Sequence, residues 1–409
     1  MRILMLSDVY HPRVNGVSTS ISTFRRFLEA AGHHVTLIAP QYPGDNGLDD
    51  DTLRVPGYYL PGDPEDRLLL PGRILKLKPR LETMHFDVVH VHTPFAAHRA
   101  GVRLACALGI PVVETYHTYF EAYFHHYIPF LPQRLLEFIA RRLTLSQADA
   151  VDRLIVPSTA LQKVMRDYGV RTTVEVLPTG LDLDEFSPGN RLRFCQRHRL
   201  DPKRPMLVYV GRVAFEKNID LLLRVVVRLR LRHPDVLLII AGEGPALGHL
   251  KRSCRELGIA GNVHFVGYLK RGGDLWDCYA AGRAFVFAST TETQGLVLLE
   301  AMALGVPVVG VPALGARDVL IEGEGALTAP AEVDAFTAAV QRLLEDESLH
   351  RELSERARVY AARWSNVVMC ERLIGIYQTV VEEQLRVGAD GTAAKERLNR
   401  QDAKVAENA

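Results

Sequence analysis

The chain of 409 residues has few cysteines, and they form no pattern. Cys106, Cys195, Cys254, Cys278 and Cys370 are odd in number, and none belongs to a C-x-x-C pair. That excludes a disulfide mini-scaffold and predicts free, buried thiols in a reducing cytoplasm. Long apolar runs are missing as well. None reaches the ~18 residues of a membrane span, so any membrane contact is expected to be peripheral. The opening MRILMLSDVYHP meets Asp8 and His11 too early for the apolar core of a signal peptide. An excess of either charge is also absent: 49 Lys and Arg stand against 48 Asp and Glu, a net charge of +1. The balance gives no reason to expect a nucleic-acid partner, although it can hide local basic patches.

What remains is an ordinary globular composition, 47% hydrophobic and 24% charged. The length suggests two or three domains at roughly 150 residues each. Short apolar runs alternate with helical patterns. Ile3 to Leu6, His34 to Ala39 and Asp87 to Val91 read as buried strands, and Ser18 to Ala31 as a helix stopped by Gly32. Strands alternating with helices predict a parallel sheet covered on both faces. The chain also echoes itself. LACALGIPVV at 104–113 resembles EAMALGVPVV at 300–309. In the same order, and at nearly the same offset, Ile3–Leu6 matches Leu207–Val210, HVTLIAP at 34–40 matches VLLIIAG at 236–242, and DVVHVHT at 87–93 matches AFVFAST at 284–290. Four echoes at one offset predict an α/β protein of two doubly wound, Rossmann-like domains of one design. The first is expected over 1–180 and the second over 204–362, joined by a Pro-, Gly- and charge-rich linker over 181–203. A terminal helix is expected over 363–386, and a disordered tail over 387–409. Ligands of such sheets bind at strand C-termini, so the function is expected on those loops, in a cleft between the domains.

Four loops carry chemistry. After the first strand, Asn15-Gly16 would present backbone N–H groups at a helix start, which suits an anion; a plain turn glycine is the competing reading. The matching loop of the second half is GRVAFEKN, where Arg212 and Lys217 can neutralise a diphosphate, Arg by a fork and Lys as a point charge. Gly242-Glu243-Gly244 is weaker and reads as a tight turn into a helix. Neither first loop carries the G-x-G-x-x-G fingerprint, which disfavours an NAD-dependent dehydrogenase. The strongest signal is TTETQGLVLLE at 290–300. Glu292 lies in a loop and Glu300 about two turns into a helix, while Gly295, Leu296 and Val297 supply amides at that helix's start. One carboxylate can meet a sugar hydroxyl and the other a ribose diol. Glu300, set in LVLLEAMAL, needs a partner if it is buried. His117 follows the strand Pro111–Val113 and is expected at a strand C-end of the first domain, facing the cleft; a structural or exposed histidine is the competing reading.

GR-x₄-K at 211–217, E-x₇-E at Glu292–Glu300 and the Asn-Gly first loop together resemble the retaining glycosyltransferases of family 4, over essentially residues 1–385. That resemblance implies the GT-B fold. It implies that Arg212 and Lys217 bind the donor diphosphate, and that Glu292 holds the transferred sugar with Thr293, Gln294 and Gly295 around it. The amides of Leu296 and Val297 would meet phosphate, Glu300 the ribose, Gly16 the phosphate from the first domain, and Tyr268 the base. His117 would lie beside the reacting centre, completing a catalytic set of His117, Glu292, Arg212 and Lys217. Thr293-Gln294 stands where many members carry Pro-Phe or similar, a variant similar to glycolipid-making members. VNGVSTSI at 14–21, HTPFAAHRAG at 92–101 and ETYHTYFEAYFHHYIPFLP at 114–132 look like the diacylglycerol glucosyltransferases. The implied donor is UDP-glucose, and the implied acceptor is a membrane glycerolipid. No cofactor or metal is expected, since no D-x-D stands where a nucleotide-sugar metal would be needed.

Acceptor and membrane contacts are expected from the aromatic stretch holding Tyr119 and Tyr123, and from Arg134, Arg141 and Arg142 in the helix after it. Arg73, Lys76, Lys78 and Arg80 make a second basic cluster. Such surfaces fit an anionic membrane from the cytoplasmic side; solvated arginines on a core helix are the plainer alternative. Three other functions stay open at this point: a GDP-mannose-dependent mannosyltransferase, a UDP-sugar 2-epimerase, and a catalytically silent sugar-nucleotide-binding protein.

Overall fold

The computed structural model describes residues 1–13, 15–43, 51–60, 63–117 and 133–389. They divide into two compact units. One holds the described residues up to Thr179 together with those from Asn366 on; the other is Gly180–Ser365. The expected disordered tail lies outside the described residues beyond Ala389. Among the described residues, no helix is long and apolar enough to cross a membrane.

The first unit is built on seven parallel strands: β1 (Arg2–Leu6), β2 (His34–Gln41), β3 (Thr52–Pro56), β6 (Val88–Val91), β7 (Val112–Thr115), β8 (Arg153–Val156) and β9 (Thr173–Val176), in the order β3-β2-β1-β6-β7-β8-β9. A short antiparallel hairpin, β4 (Tyr58–Leu60) with β5 (Asp63–Leu68), stands apart from that sheet. Alternation along β1 separates two cores. Leu4 and Leu6 join Ile38, Val89 and Val91 on one face, where the helix Ala96–Leu108 packs. Ile3 and Met5 join Val35, Leu37 and Val113 on the other. Burial on both faces explains why these strands read as unbroken apolar runs. Each such side chain contributes roughly 1.5–3 kcal/mol.

The helix Gly16–Ala30 starts two residues earlier than the sequence pattern suggests. Asn15 and Ser18 form a reciprocal cap: each side chain accepts from the other's backbone N–H at 2.9 Å.

The second unit contains β10 (Met206–Val210), β11 (Leu237–Ala241), β12 (Val263–Gly267), β13 (Ala284–Phe287), β14 (Val308–Gly310) and β15 (Ala326–Thr328). Their order, β12-β11-β10-β13-β14-β15, is the doubly wound order with its switch point beside β10. The four sequence echoes fall on β1/β10, β2/β11, β6/β13 and β7/β14, which hold equivalent places in the two sheets. The repeat is therefore structural.

One expectation on domain organisation needs correction. Residues 181–203 are not a free linker. Within them Arg191–His198 is a helix that buries Phe194 and Cys195 in the second unit's core. Arg193 grips the buried Asp277 with Nε at 2.5 Å and Nη2 at 2.6 Å, and the Asn190 amide adds a bond of 2.7 Å. A Cβ on Gly189 would lie 2.1 Å from the Trp276 carbonyl, so the approach is tight. The terminal helix, expected over 363–386, spans Asn366–Ala389 and belongs to the first unit. Met369, Cys370, Leu373, Tyr377 and Val380 form its apolar stripe at helical spacing, and they share a core with Ile21, Phe24 and Leu28 of the first helix.

Candidate active site

In the second unit the loops after β10, β11, β13 and β14 meet. Tyr209, fully buried in β10, donates its hydroxyl to the Arg212 carbonyl at 3.0 Å and so fixes the start of the GR-x₄-K loop. Burial and the charges of Glu292 and Glu216 raise the pKa of that hydroxyl well above the ordinary tyrosine value. Val213 N donates to Glu243 O at 2.8 Å. Gly242 and Gly244 both sit at positive φ, and a Cβ on them would strike the Gly211 and Val213 carbonyls at 1.9 and 2.4 Å. The G-x-G is thus explained by the loops' close approach.

The two candidate cations do not stand alone. Lys217 Nζ lies 2.6 Å from Glu292 Oε2, with the two side chains 13% and 22% exposed. Arg212, half exposed, has Nη1 4.0 Å from Oε1 of the buried Glu216. Glu216 lies inside GR-x₄-K at one of its variable positions, so the motif itself does not single it out.

Glu292 is held from the other side. Gly315, in the loop after β14, donates its amide to the Glu292 carbonyl at 2.8 Å. A Cβ on Gly315 would sit 1.7 Å from the Thr293 carbonyl. Gln294 is buried, and Thr293 partly so. Gly295 takes a left-handed φ of 87° as the cap of the helix Leu296–Ala303, and no side chain caps that start. The amides of Leu296 and Val297 therefore open the helix where its dipole favours an anion.

Glu300 has the partners its apolar surroundings demand. Oε1 accepts from Arg271 Nη1 at 2.5 Å and Oε2 from Tyr279 Oη at 2.8 Å. Neither partner was identified from sequence, because both come from an earlier loop and helix. Tyr268, after Gly267 at the end of β12, is 58% exposed.

The first unit gathers histidines at its strand ends. His92 Nδ1 lies 3.2 Å from His117 Nε2, and the rings stack with centroids 5.5 Å apart. The His90 ring lies tilted against that of His92, with centroids 4.0 Å apart, and His90 bonds to Tyr377 Oη at 2.6 Å and Thr115 Oγ1 at 2.7 Å. Burial lowers the pKa of His117 to about 4 and that of His90 to about 3, and His92 falls well below its ordinary value for the same reason. All three are neutral at physiological pH. Two histidines in VHVHT, within a strand read as buried, were the available signal for His90 and His92. Beside them Asp8 accepts from Thr93 Oγ1 at 2.7 Å and from the Ala97 amide at 3.2 Å, capping the helix Ala96–Leu108. Gly16 is exposed at the start of the first helix, with nothing within 4 Å of a Cβ built on it.

Of the expected acceptor residues, Tyr119 and Tyr123 lie outside the described residues, as does the side chain of Arg134. Arg141 donates to the Tyr168 carbonyl at 3.0 Å, at the end of the helix Thr159–Tyr168, and Arg142 lies 5.8 Å over the Phe138 ring.

Comparison with known proteins places the chain in a family and a fold. The model of the glycosyl transferases group 1 matches residues 190–360, and that of Glycosyltransferase Family 4 matches residues 14–185. An alpha-monoglucosyldiacylglycerol synthase of Streptococcus pneumoniae is 31% identical over 317 residues, covering 76% of this chain and 70% of that protein. A GDP-mannose-dependent alpha-mannosyltransferase of Mycobacterium tuberculosis is 28% identical over 93% of this chain and 97% of its own. Among solved structures, a sucrose-phosphate synthase from Thermosynechococcus elongatus superposes with a TM-score of 0.77 at 21% identity, covering 93% of this chain and 99% of that one.

Proposed function

The chain belongs to the family 4 glycosyltransferases of the GT-B fold, and from that premise we propose that it moves a glucosyl group from UDP-glucose to a membrane glycerolipid, diacylglycerol, with retention. The observation that carries the reading is the meeting of Lys217, Glu292, the uncapped helix start at Leu296 and the partnered Glu300 in one unit. It provides, in sequence, a cation, a sugar-binding carboxylate, an anion-binding dipole and a ribose-binding carboxylate.

In the reaction the bond between the sugar's C1 and the diphosphate oxygen breaks. The acceptor hydroxyl bonds to C1 on the same face, and its proton passes to the departing phosphate oxygen. Lys217, Arg212 and the amides of Leu296 and Val297 stabilise the charge that develops on the diphosphate. Glu292 orients the sugar through its hydroxyls, and Lys217 must divide its charge between Glu292 and the diphosphate. His117, neutral and held by His92 in the first unit, can offer a hydrogen bond without adding charge.

Glucose and diacylglycerol are favoured because the S. pneumoniae relative is named for that product. The mannosyltransferase relative, which spans more of this chain, supports GDP-mannose as the second reading. The test supplies UDP-glucose or GDP-mannose with diacylglycerol in anionic vesicles and identifies lipid products by mass spectrometry. An α-glucosyl diacylglycerol is the expected product. A mannosyl lipid would replace the donor assignment, and free sugar or no product would remove the lipid acceptor.

A further inference from the structure

The partners of Glu300 assign a role to a residue that the proposed reaction leaves unused. Glu300 is 7% exposed, and each of its oxygens already accepts one bond, from Arg271 and from Tyr279. A carboxylate offers about four acceptor sites, so two remain for a vicinal diol. Arg271 comes from the loop between β12 and the helix Gly273–Ala281. Its Nε reaches Glu185 Oε2 at 3.2 Å. Its guanidinium lies 5.5 Å from the Trp276 ring and 6.0 Å from that of Phe186, and the two rings stack at 4.4 Å. Trp276 Nε1 in turn donates to the Glu185 carbonyl at 3.1 Å. The guanidinium is thus framed by two carboxylates and two rings, which restricts its rotamers and pre-organises its fork.

We propose that Arg271 is a positioning residue for nucleotide recognition: it fixes the orientation of the Glu300 carboxylate, so that the remaining acceptor sites take the donor ribose. The inference rests on the reading that Glu300 binds that ribose. Without Arg271, Glu300 would be a buried carboxylate that has lost its charged partner, with Tyr279 still donating to it, and would turn away from the geometry the ribose needs. The diphosphate falls to other residues, so the effect of Arg271 is confined to the nucleoside end.

Calorimetric titration of the full chain with UDP, GDP and inorganic pyrophosphate tests this. The variants are Arg271→Met, Arg271→Lys, Glu300→Gln and the double Arg271→Met/Glu300→Gln, each checked for folding by circular dichroism. Arg271→Met is expected to weaken the preferred nucleotide by at least about ten-fold, the scale of a charge-assisted hydrogen bond, and to leave pyrophosphate within about two-fold. The double variant should bind no worse than Glu300→Gln alone. Arg271→Lys should recover part of the loss; if the Met variant does not fold, a nucleotide-only loss in the Lys variant carries the comparison. Equal weakening of nucleotide and pyrophosphate, additive losses in the double variant, or Arg271 variants that bind like wild type while Glu300→Gln does not would overturn the role of Arg271. Failure of the underlying reading looks different: Glu300→Gln would bind nucleotide like wild type, or wild type would prefer neither nucleotide to pyrophosphate.

Discussion

Lys217 donates to Glu292 Oε2 over 2.6 Å, which ties the loop after β10 to the loop after β13 and leaves the cation already paired before any donor arrives. On the proposed reading, a diphosphate would therefore share Lys217 with Glu292. Lys217→Ala should lower kcat by at least about a hundred-fold, as expected for losing a group that meets charge in the transition state. The fold should persist, because the pair joins two loops and lies outside the apolar core. Steady-state rates with matched circular dichroism spectra measure both, and near wild-type transfer would remove Lys217 from the mechanism.

Two glycines separate space from function. Gly315 has an ordinary helical backbone, so only collision opposes a side chain there, and a Cβ would lie 1.7 Å from the Thr293 carbonyl. Gly315→Ala should displace the loop that carries Glu292 and cut turnover by about ten-fold or more, since small misplacements at a reacting centre are costly. Gly16 has open space and sits in the first helix, so Gly16→Ala should keep or slightly raise the melting temperature. If Gly16 approaches the donor phosphate, the same methyl raises the donor KM. An unchanged KM in a stable Gly16→Ala protein would show that the glycine is merely a helix start.

The fold was legible because buried parallel strands are continuous apolar runs. Ile3–Leu6 and Leu207–Val210 match each other in sequence, and they hold equivalent places in the two sheets. The helix Arg191–His198 was hidden because it buries only Phe194 and Cys195 among charged neighbours. The docking of the terminal helix was equally hidden, since an apolar stripe shows that a partner exists but not which one. Glu300 illustrates the same limit within the site. Its need for a partner follows from LVLLEAMAL, but the partners, Arg271 and Tyr279, lie 29 and 21 residues earlier, beyond any local pattern.

The buried histidines couple stability to acid. His117 titrates at about 4 and His90 at about 3 in the folded chain, both lowered by burial, against about 6.5 when unfolded. As pH falls through 6.5 the unfolded chain takes up protons that the folded chain refuses, so stability drops until the folded values are reached. At pH 5 each such histidine costs about 2 kcal/mol relative to high pH. Melting curves at pH 7.5 and 5.0 should show a smaller decrease for His90→Gln than for wild type, even though the variant starts less stable. The same shifts keep His117 neutral above pH 5, so transfer rates should show no inflection near 6.5 from this residue. Identical pH dependence of melting in the variant and wild type would contradict the burial-driven shift.

A lipid acceptor requires the chain to reach a membrane surface, and the first unit presents one candidate face. Tyr58, Tyr59, Leu68 and Leu70 are exposed on and beside the β4–β5 hairpin, with Arg73 Nη2 on Tyr58 Oη at 2.9 Å and Arg67 3.9 Å over the Tyr59 ring. Next to them lie Lys76 and the short helix Lys78–Glu82, which carries Arg80. Arg73 also bonds the Pro56 carbonyl at 2.7 Å, and Lys78 pairs with Glu82 at 3.3 Å, so both have structural duties. Lys76 and Arg80 are exposed and make the cleaner test. Each basic residue near an anionic surface contributes about 1 kcal/mol, so the double variant Lys76→Gln/Arg80→Gln should bind anionic vesicles roughly 30-fold more weakly. Co-sedimentation at low salt should detect the wild-type complex, and high salt should dissolve it as screening shortens the reach of the charges. Vesicles of zwitterionic lipid should retain little protein. Absence of binding to anionic vesicles at low salt would mean that the acceptor is taken from solution rather than from the bilayer.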